Sequence, residues 1–207
     1  MTIKSDKPIW KKNLYVLSIA VFIAGIAFSE IMPFLPLYID TLGHFTHQQL
    51  NFWSGFIFSG VYFVSAIISP WWGKLADKKG RKLMILRASL GMAIVLGSMG
   101  LVTNVWQLFF LRMLQGVFAG FVSNSNALIA TETPKEKSGQ ALGTMASSFT
   151  AGNLLGPFLG GALASAFSYR VTFFITGGLL LISFLLSLFF VHEEGFKPIT
   201  EKHLATT

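Results

Sequence analysis

Residues 52–102, FWSGFIFSGVYFVSAIISPWWGKLADKKGRKLMILRASLGMAIVLGSMGLV, hold two apolar runs, 52 to 72 and 83 to 102, on either side of a strongly basic turn. Each run has roughly the 20 residues that carry a helix across a hydrocarbon layer about 30 Å thick. Lipid offers no partner to backbone N–H and C=O groups, so a spanning run must close its own hydrogen bonds as a helix. The turn between them carries Lys74, Lys78, Lys79, Arg81 and Lys82, with Arg87 just beyond.

Outward from this stretch the same pattern repeats. Further apolar runs cover 14 to 39, 105 to 127, 141 to 166 and 171 to 191, which makes six. Lys4, Lys7, Lys11 and Lys12 precede the first run, Lys135 and Lys137 separate the fourth and fifth, and Lys197 and Lys202 follow the sixth. The alternate gaps are almost free of positive charge: 40 to 51 and 103 to 104 hold none, and 167 to 170 holds only Arg170. Fourteen of the 16 Lys and Arg residues therefore fall on one side, and the positive-inside rule places both termini in the cytoplasm. The expected organisation is a cytoplasmic segment 1–13, a six-helix transmembrane domain 14–191, and a polar cytoplasmic tail or start of a central loop at 192–207. The expected location is the plasma (inner) membrane, crossed several times.

A basic start followed by Leu14 to Ala27 imitates a secretory signal. The run continues to Ile39, so an uncleaved first span is expected. The chain is 12% charged, against about 25% in soluble domains, with a mean hydropathy of +0.61. A net charge of +7 would point to nucleic acid in a soluble protein; here the cations flank apolar runs and face lipid headgroups, and no nucleic-acid partner is expected. No cysteine is present, His44 and His47 lack a third ligand nearby, and no paired carboxylates or nucleophile motif appears. No metal, cofactor or enzymatic activity is therefore expected. Trp10, Trp53, Trp71, Trp72 and Trp106 lie near run ends, as headgroup-level anchors do.

Two residues with formal charge lie well inside runs, Glu30 and Arg112. A charge there costs at least ~2.5 kcal/mol on insertion scales, which makes each a functional candidate facing the bundle interior. Glu30 is a candidate proton carrier, or an acid that reaches water through a local cavity. Arg112 either acts on a carboxyl partner or ties its helix to backbone carbonyls. In the fifth run Gly143, Gly152, Gly156, Pro157, Gly160 and Gly161 would weaken a soluble helix by several kcal/mol, at about 1 per glycine and 3 for proline. Gly152, Gly156 and Gly160 share a face at four-residue spacing, where a neighbouring backbone can approach. In the basic turn, Gly73 and Gly80 supply permissive backbone. Asp77, the only acid there, can pair locally, cap the next helix or meet a helix dipole.

The spacing Gly143-x8-Gly152-x3-Gly156-Pro157-x2-Gly160-Gly161 resembles the antiporter motif of drug/proton exchangers in the major facilitator superfamily. The stretch Gly73 to Lys82 is similar to that family's loop motif, and Arg112-Met-Leu-Gln115-Gly116 to its fourth-helix motif. Pro33-Phe-Leu-Pro36 and the pair Asn124 and Asn126 agree, and the resemblance covers about residues 10 to 195. It implies an all-α membrane fold, one six-helix half of a twelve-helix transporter, built as two inverted three-helix repeats. It further implies proton-driven export of amphipathic small molecules or drugs, with the proton gradient in place of a cofactor. Lipid, substrate, protons and a second six-helix half would be the partners. Gly73, Asp77, Gly80 and Arg81 would form a conformational latch, Glu30 and Arg112 would couple protons, and Phe34, Tyr38, Tyr62, Asn124 and Asn126 would line the substrate path. Phe22, Phe28, Phe58 and Phe63 add to the aromatic supply of the first two helices. Competing expectations are a truncated fragment that transports nothing, and a porter in which Arg112 clamps an anionic or sugar substrate.

Overall fold

The computed structural model describes residues 8 to 193, and all regular structure among them is helical. Eight segments are present: α1 (Ile9–Ser29), α2 (Leu35–Asp40), α3 (His47–Lys79), α4 (Arg81–Met99), α5 (Val105–Val117), α6 (Phe121–Glu132), α7 (Lys135–Ala166) and α8 (Tyr169–Phe190). They make six crossings, because α1 with α2 and α5 with α6 are each one crossing interrupted by a short break. The apolar runs 14 to 39 and 105 to 127 thus correct to broken helices. Proline explains the first break: Pro33 and Pro36 lack an N–H, and the backbone between them passes through turns. In the second, Gly120 adopts φ 105°, a left-handed conformation that L side chains resist, and the chain restarts as α6.

Helices outrun the apolar stretches that announced them, since α1 begins at Ile9 rather than 14 and α3 extends to Lys79. Five crossings are long and apolar enough to span by composition alone; α7, diluted by Gly, Ser and Thr, is the sixth and has 32 residues. Helix starts differ between the two ends of the bundle. At the end away from the lysines, side chains of Thr46, Asn104 and Ser168 accept from backbone N–H groups three residues on. At the basic end α4 begins on Gly80, which has no side chain to offer.

Packing pairs the helices reciprocally. α1 lies against α7, α3 against α5, and α4 against α8. The first helix of each three-helix set therefore rests on the second of the other, third rests on third, and the two sets enter from opposite ends. This is the arrangement of two inverted repeats.

Candidate functional site: a cavity between two broken helices

The α1–α7 contact is built on glycine. A Cβ at Gly152 would meet the Phe22 carbonyl oxygen, one at Gly156 would meet the Ser29 hydroxyl and the Ile26 carbonyl, and one at Gly160 would meet the carbonyl oxygen of Glu30. From the other side, a Cβ on Gly25 would sit 2.6 Å from the Phe149 carbonyl oxygen. The two backbones are in direct contact along three turns. Gly143 and Gly161 stand apart from this seam, with nothing within 4 Å of where a Cβ would be. Pro157 is accommodated inside a continuous α7.

Glu30 sits where α1 ends, pressed on Gly156 and Gly160. It is fully buried, and neither carboxylate oxygen has a hydrogen-bond partner among the described residues. Ser29 beside it satisfies its own hydroxyl by donating to the Gly25 carbonyl at 2.8 Å. Arg112 on α5 is 6% exposed, and its Nη1 donates to Gln115 Oε1 at 3.0 Å while Nε is left without a partner. Glu30 and Arg112 are not joined to one another by an ion pair, whereas Arg81 pairs with Asp77 at 2.8 Å.

Arg112 lines an open cavity of about 620 Å³ bordered by α1, α3, α4, α5, α6 and α7. Its wall is aromatic and aliphatic at Phe28, Met32, Phe58, Val61, Met92, Phe121 and Phe149, and polar at Tyr62, Gln115, Ser123, Asn126 and Asn153. This is an amphipathic lining, in which apolar surface supplies affinity and a few polar groups set orientation. Asn126 Oδ1 is buried without a partner.

Of the residues expected along a substrate path, the structure brings Tyr62 and Asn126 to this cavity with Arg112. Phe34 and Tyr38 lie away from it. Phe34 stacks on Tyr169 at 5.6 Å and meets Phe173 edge-on at 5.7 Å. Tyr38 packs 5.0 Å from Phe173 and donates its hydroxyl to the Met99 carbonyl at 2.7 Å. Both are about 2% exposed or less, and they weld α2 to α4 and α8 at the non-basic end, because the break after Ser29 turns α2 towards that pair. Asn124 folds back onto the Gly120 carbonyl at 2.7 Å and borders a smaller polar pocket of about 220 Å³, which Gly73 and Arg81 also line.

Four contributors escaped the sequence reading. Glu193, assigned to the polar tail, caps α4: its carboxylate accepts from the backbone N–H of Arg81 at 2.8 Å and of Lys82 at 2.9 Å. Asp77 leaves that role and pairs with Arg81 instead. A carboxylate held by the N–H groups of a helix start is favoured by charge as well as by hydrogen bonding. Asn13, fully buried, donates to Glu132 Oε2 at 2.6 Å and to the His192 carbonyl at 2.6 Å, tying α1, α6 and the end of α8 together. Arg87, read as part of the basic turn, points inward to the α5–α6 break. Its Nη1 donates to the Val117 carbonyl at 3.1 Å and its Nη2 to the Ala119 carbonyl at 2.8 Å. Trp72, expected at the lipid interface, lies under that guanidinium at 3.7 Å and donates its Nε1–H to Val117 as well. The one signal for either residue was its place at a run end beside a cationic turn, which lipid anchors share.

A family model described as Major Facilitator Superfamily matches residues 17–206. A multidrug resistance protein MdtG from Citrobacter koseri is 54% identical over 201 residues, which is 97% of this chain and 49% of that protein. The MdtG protein of Proteus mirabilis is 50% identical over 207 residues, covering 100% of this chain and 51% of the relative. The chain thus spans about half the length of the curated relatives it matches. Among solved structures, the human organic anion transporter MFSD10 (TETRAN) superposes with a TM-score of 0.77 at 18% identity, over 90% of this chain and 49% of that one, a likeness of fold. With its paired three-helix sets and its match along nearly the whole length, the chain is a multi-pass membrane protein that belongs to the Major Facilitator Superfamily.

Proposed function

We propose that the chain forms the amino-terminal half of a proton-coupled exporter of amphipathic small molecules, completed by a second six-helix half. The observation that carries this reading is Glu30. A fully buried carboxyl with no partner among the described residues, pressed on the glycine seam of α7, supports a role in carrying a proton, since an ionisable residue inside a membrane bundle is costly unless it is used. The cavity beside it has the mixed lining that amphipathic molecules need. The multidrug resistance names of the half-matched relatives support export as the direction. In this reading the protein carries its substrate unchanged, the proton gradient supplies the drive, and no cofactor takes part. Asp77, Arg81 and the turn they hold would make and break contact with the second half as the two rock.

Transport is tested with a chimera in which this chain replaces the matching half of the Citrobacter koseri protein. Everted vesicles carrying the chimera should take up amphipathic fluorescent dyes when a pH gradient is imposed and stop when it is collapsed. Vesicles carrying this chain alone should show folded protein and no uptake. Uptake by the chimera that ignores the gradient would remove proton coupling, and uptake by the chain alone would remove the need for a second half.

The orientation follows from charge: the basic end, with both termini, lies in the cytoplasm of a bacterial inner membrane. Single cysteines at the exposed positions His44, Lys79 and Lys135 of this cysteine-free chain check it in intact cells. Only the first should react with an impermeant maleimide, and labelling at Lys79 would invert the topology.

A second reading, transport of an anionic substrate, is favoured by one specific observation. The only formal charge among the residues lining the cavity is the cation Arg112, and no carboxylate lines it.

A further inference from the structure

The glycine seam between α1 and α7 runs from Gly25 to Glu30, and on its basic side the two helices leave a groove of about 650 Å³ between them. Its wall is apolar at Leu14, Tyr15, Ile19 and Phe22 of α1 and at Ala151 of α7. Two of its hydroxyls are already spent: Thr144 donates to the Gln140 carbonyl at 3.0 Å and Ser18 to the Met145 sulfur at 3.6 Å. From Lys11 to Phe22 a helix rises about 16 Å at 1.5 Å per residue, close to one leaflet of a hydrocarbon layer about 30 Å thick.

The mouth of this groove is cationic. It continues into a recess of about 340 Å³ lined by Trp10, Lys11, Lys137 and Gln140, with Lys11, Leu14 and Thr144 common to both spaces. The Trp10 ring draws a cation from each helix: Lys11 Nζ lies 5.7 Å from its centroid and Lys137 Nζ 5.9 Å. Two ammonium groups gathered on one ring repel each other, and among the described residues neither is paired with a carboxylate. An anion between them would relieve that repulsion. An indole at the end of a crossing stands at the level of the lipid headgroups, where anionic lipids supply such a charge.

We infer that Trp10, Lys11 and Lys137 form a headgroup site for an anionic phospholipid, one acyl chain of which lies in the α1–α7 groove. Charge and shape select this occupant together. Free phosphate would satisfy the lysines and leave the apolar wall uncovered, whereas a zwitterionic lipid would fill the groove but bring its own cation to theirs. Trp10 acts as the positioning residue, since its ring turns two surface lysines on separate helices into one site. The site requires that the chain cross a membrane and nothing about what it transports.

The test places a bimane fluorophore on Ser147→Cys, an exposed groove position in this cysteine-free chain, in phosphatidylcholine nanodiscs. Phosphatidylglycerol with brominated acyl chains, added as a minor component, should quench the label at least threefold more than brominated phosphatidylcholine at the same fraction. A label on Ile94→Cys, 61% exposed on α4, should be quenched equally by the two. Lys11→Gln combined with Lys137→Gln should bring quenching in the groove down to the phosphatidylcholine level. Should that variant misfold, high salt on the unaltered lysines replaces it and should at least halve the preference. Inorganic phosphate at matched ionic strength should displace nothing. Equal quenching by the two lipids, a preference shared by the Ile94 label, a preference that survives loss or screening of the lysines, or displacement by phosphate would each overturn the site. So would a preference that disappears in a cysteine-free form of the chimera, which would give the groove to the second half.

Discussion

The first and fourth crossings are both broken, the first late in its crossing and the fourth near the middle, yet they are finished in different ways. At the end of α1 the backbone is sealed on its α7 side: Gly152, Gly156 and Gly160 bring α7 against it, and Glu30 there is buried with no partner among the described residues, while Ser29 and Met32 on either side of it border the cavity. At the end of α5 the backbone carbonyls are pinned by Arg87 and Trp72, and Gly120, Phe121, Val122 and Ser123 that follow line a cavity. Because the crossings are related by the inverted pairing of α1 on α7 and α5 on α3, the contrast is one between equivalent elements, and on the proposed reading a division of labour. On that reading, the carboxyl packed against the α7 seam takes up and gives off a proton, and the break that opens on the amphipathic cavity meets the ligand.

The comparison breaks most readily at the seam. Gly156→Val would place a side chain 2.7 Å from the Ile26 carbonyl and against the Ser29 hydroxyl, where the obstacle is backbone and cannot give. Overpacking of this kind costs about 1–3 kcal/mol even when neighbours adjust, so the folded form should be largely lost. Gly161→Val, in the same motif but with nothing within 4 Å, should stay within about 0.5 kcal/mol of the parent. Midpoints of unfolding in SDS measure both; equal effects would remove the distinction between seam and open glycines.

At the open break the expected losses are smaller. Arg87→Gln removes two hydrogen bonds from a charged donor and the contact with Trp72, and should cost about 2–3 kcal/mol. Trp72→Phe keeps a ring under the guanidinium and loses one hydrogen bond, for about 1 kcal/mol. The same unfolding measurement ranks them. If Trp72→Phe were the more damaging, packing rather than carbonyl capping would hold the break.

Much of this was legible before any coordinates. Sorting Lys and Arg by gap found six crossings, and the four-residue glycine repeat announced a close backbone approach that the α1–α7 contact displays. What stayed hidden depends on tertiary placement. A positive φ at Gly120 leaves no trace in a run that is apolar throughout, so residues 105 to 127 read as one helix. Phe34 and Tyr38 are separated from Phe28 by the direction the chain takes after Ser29, and in a chain surrounded by lipid an aromatic residue has no polar contrast to show which way it faces. Arg87 and Glu193 were counted as loop and tail because sequence distance hides that one reaches a break 30 residues away and the other a helix start 112 residues back.

The most direct test of the division of labour is proton release from the purified chimera. Adding an amphipathic dye to the detergent-solubilised protein in weak buffer should acidify the solution. Glu30→Gln should still bind the dye in the cavity, because Glu30 does not line it, and should release at most a tenth of the protons. Full release from the Gln variant would contradict the account, and would place the exchangeable proton outside the sealed break.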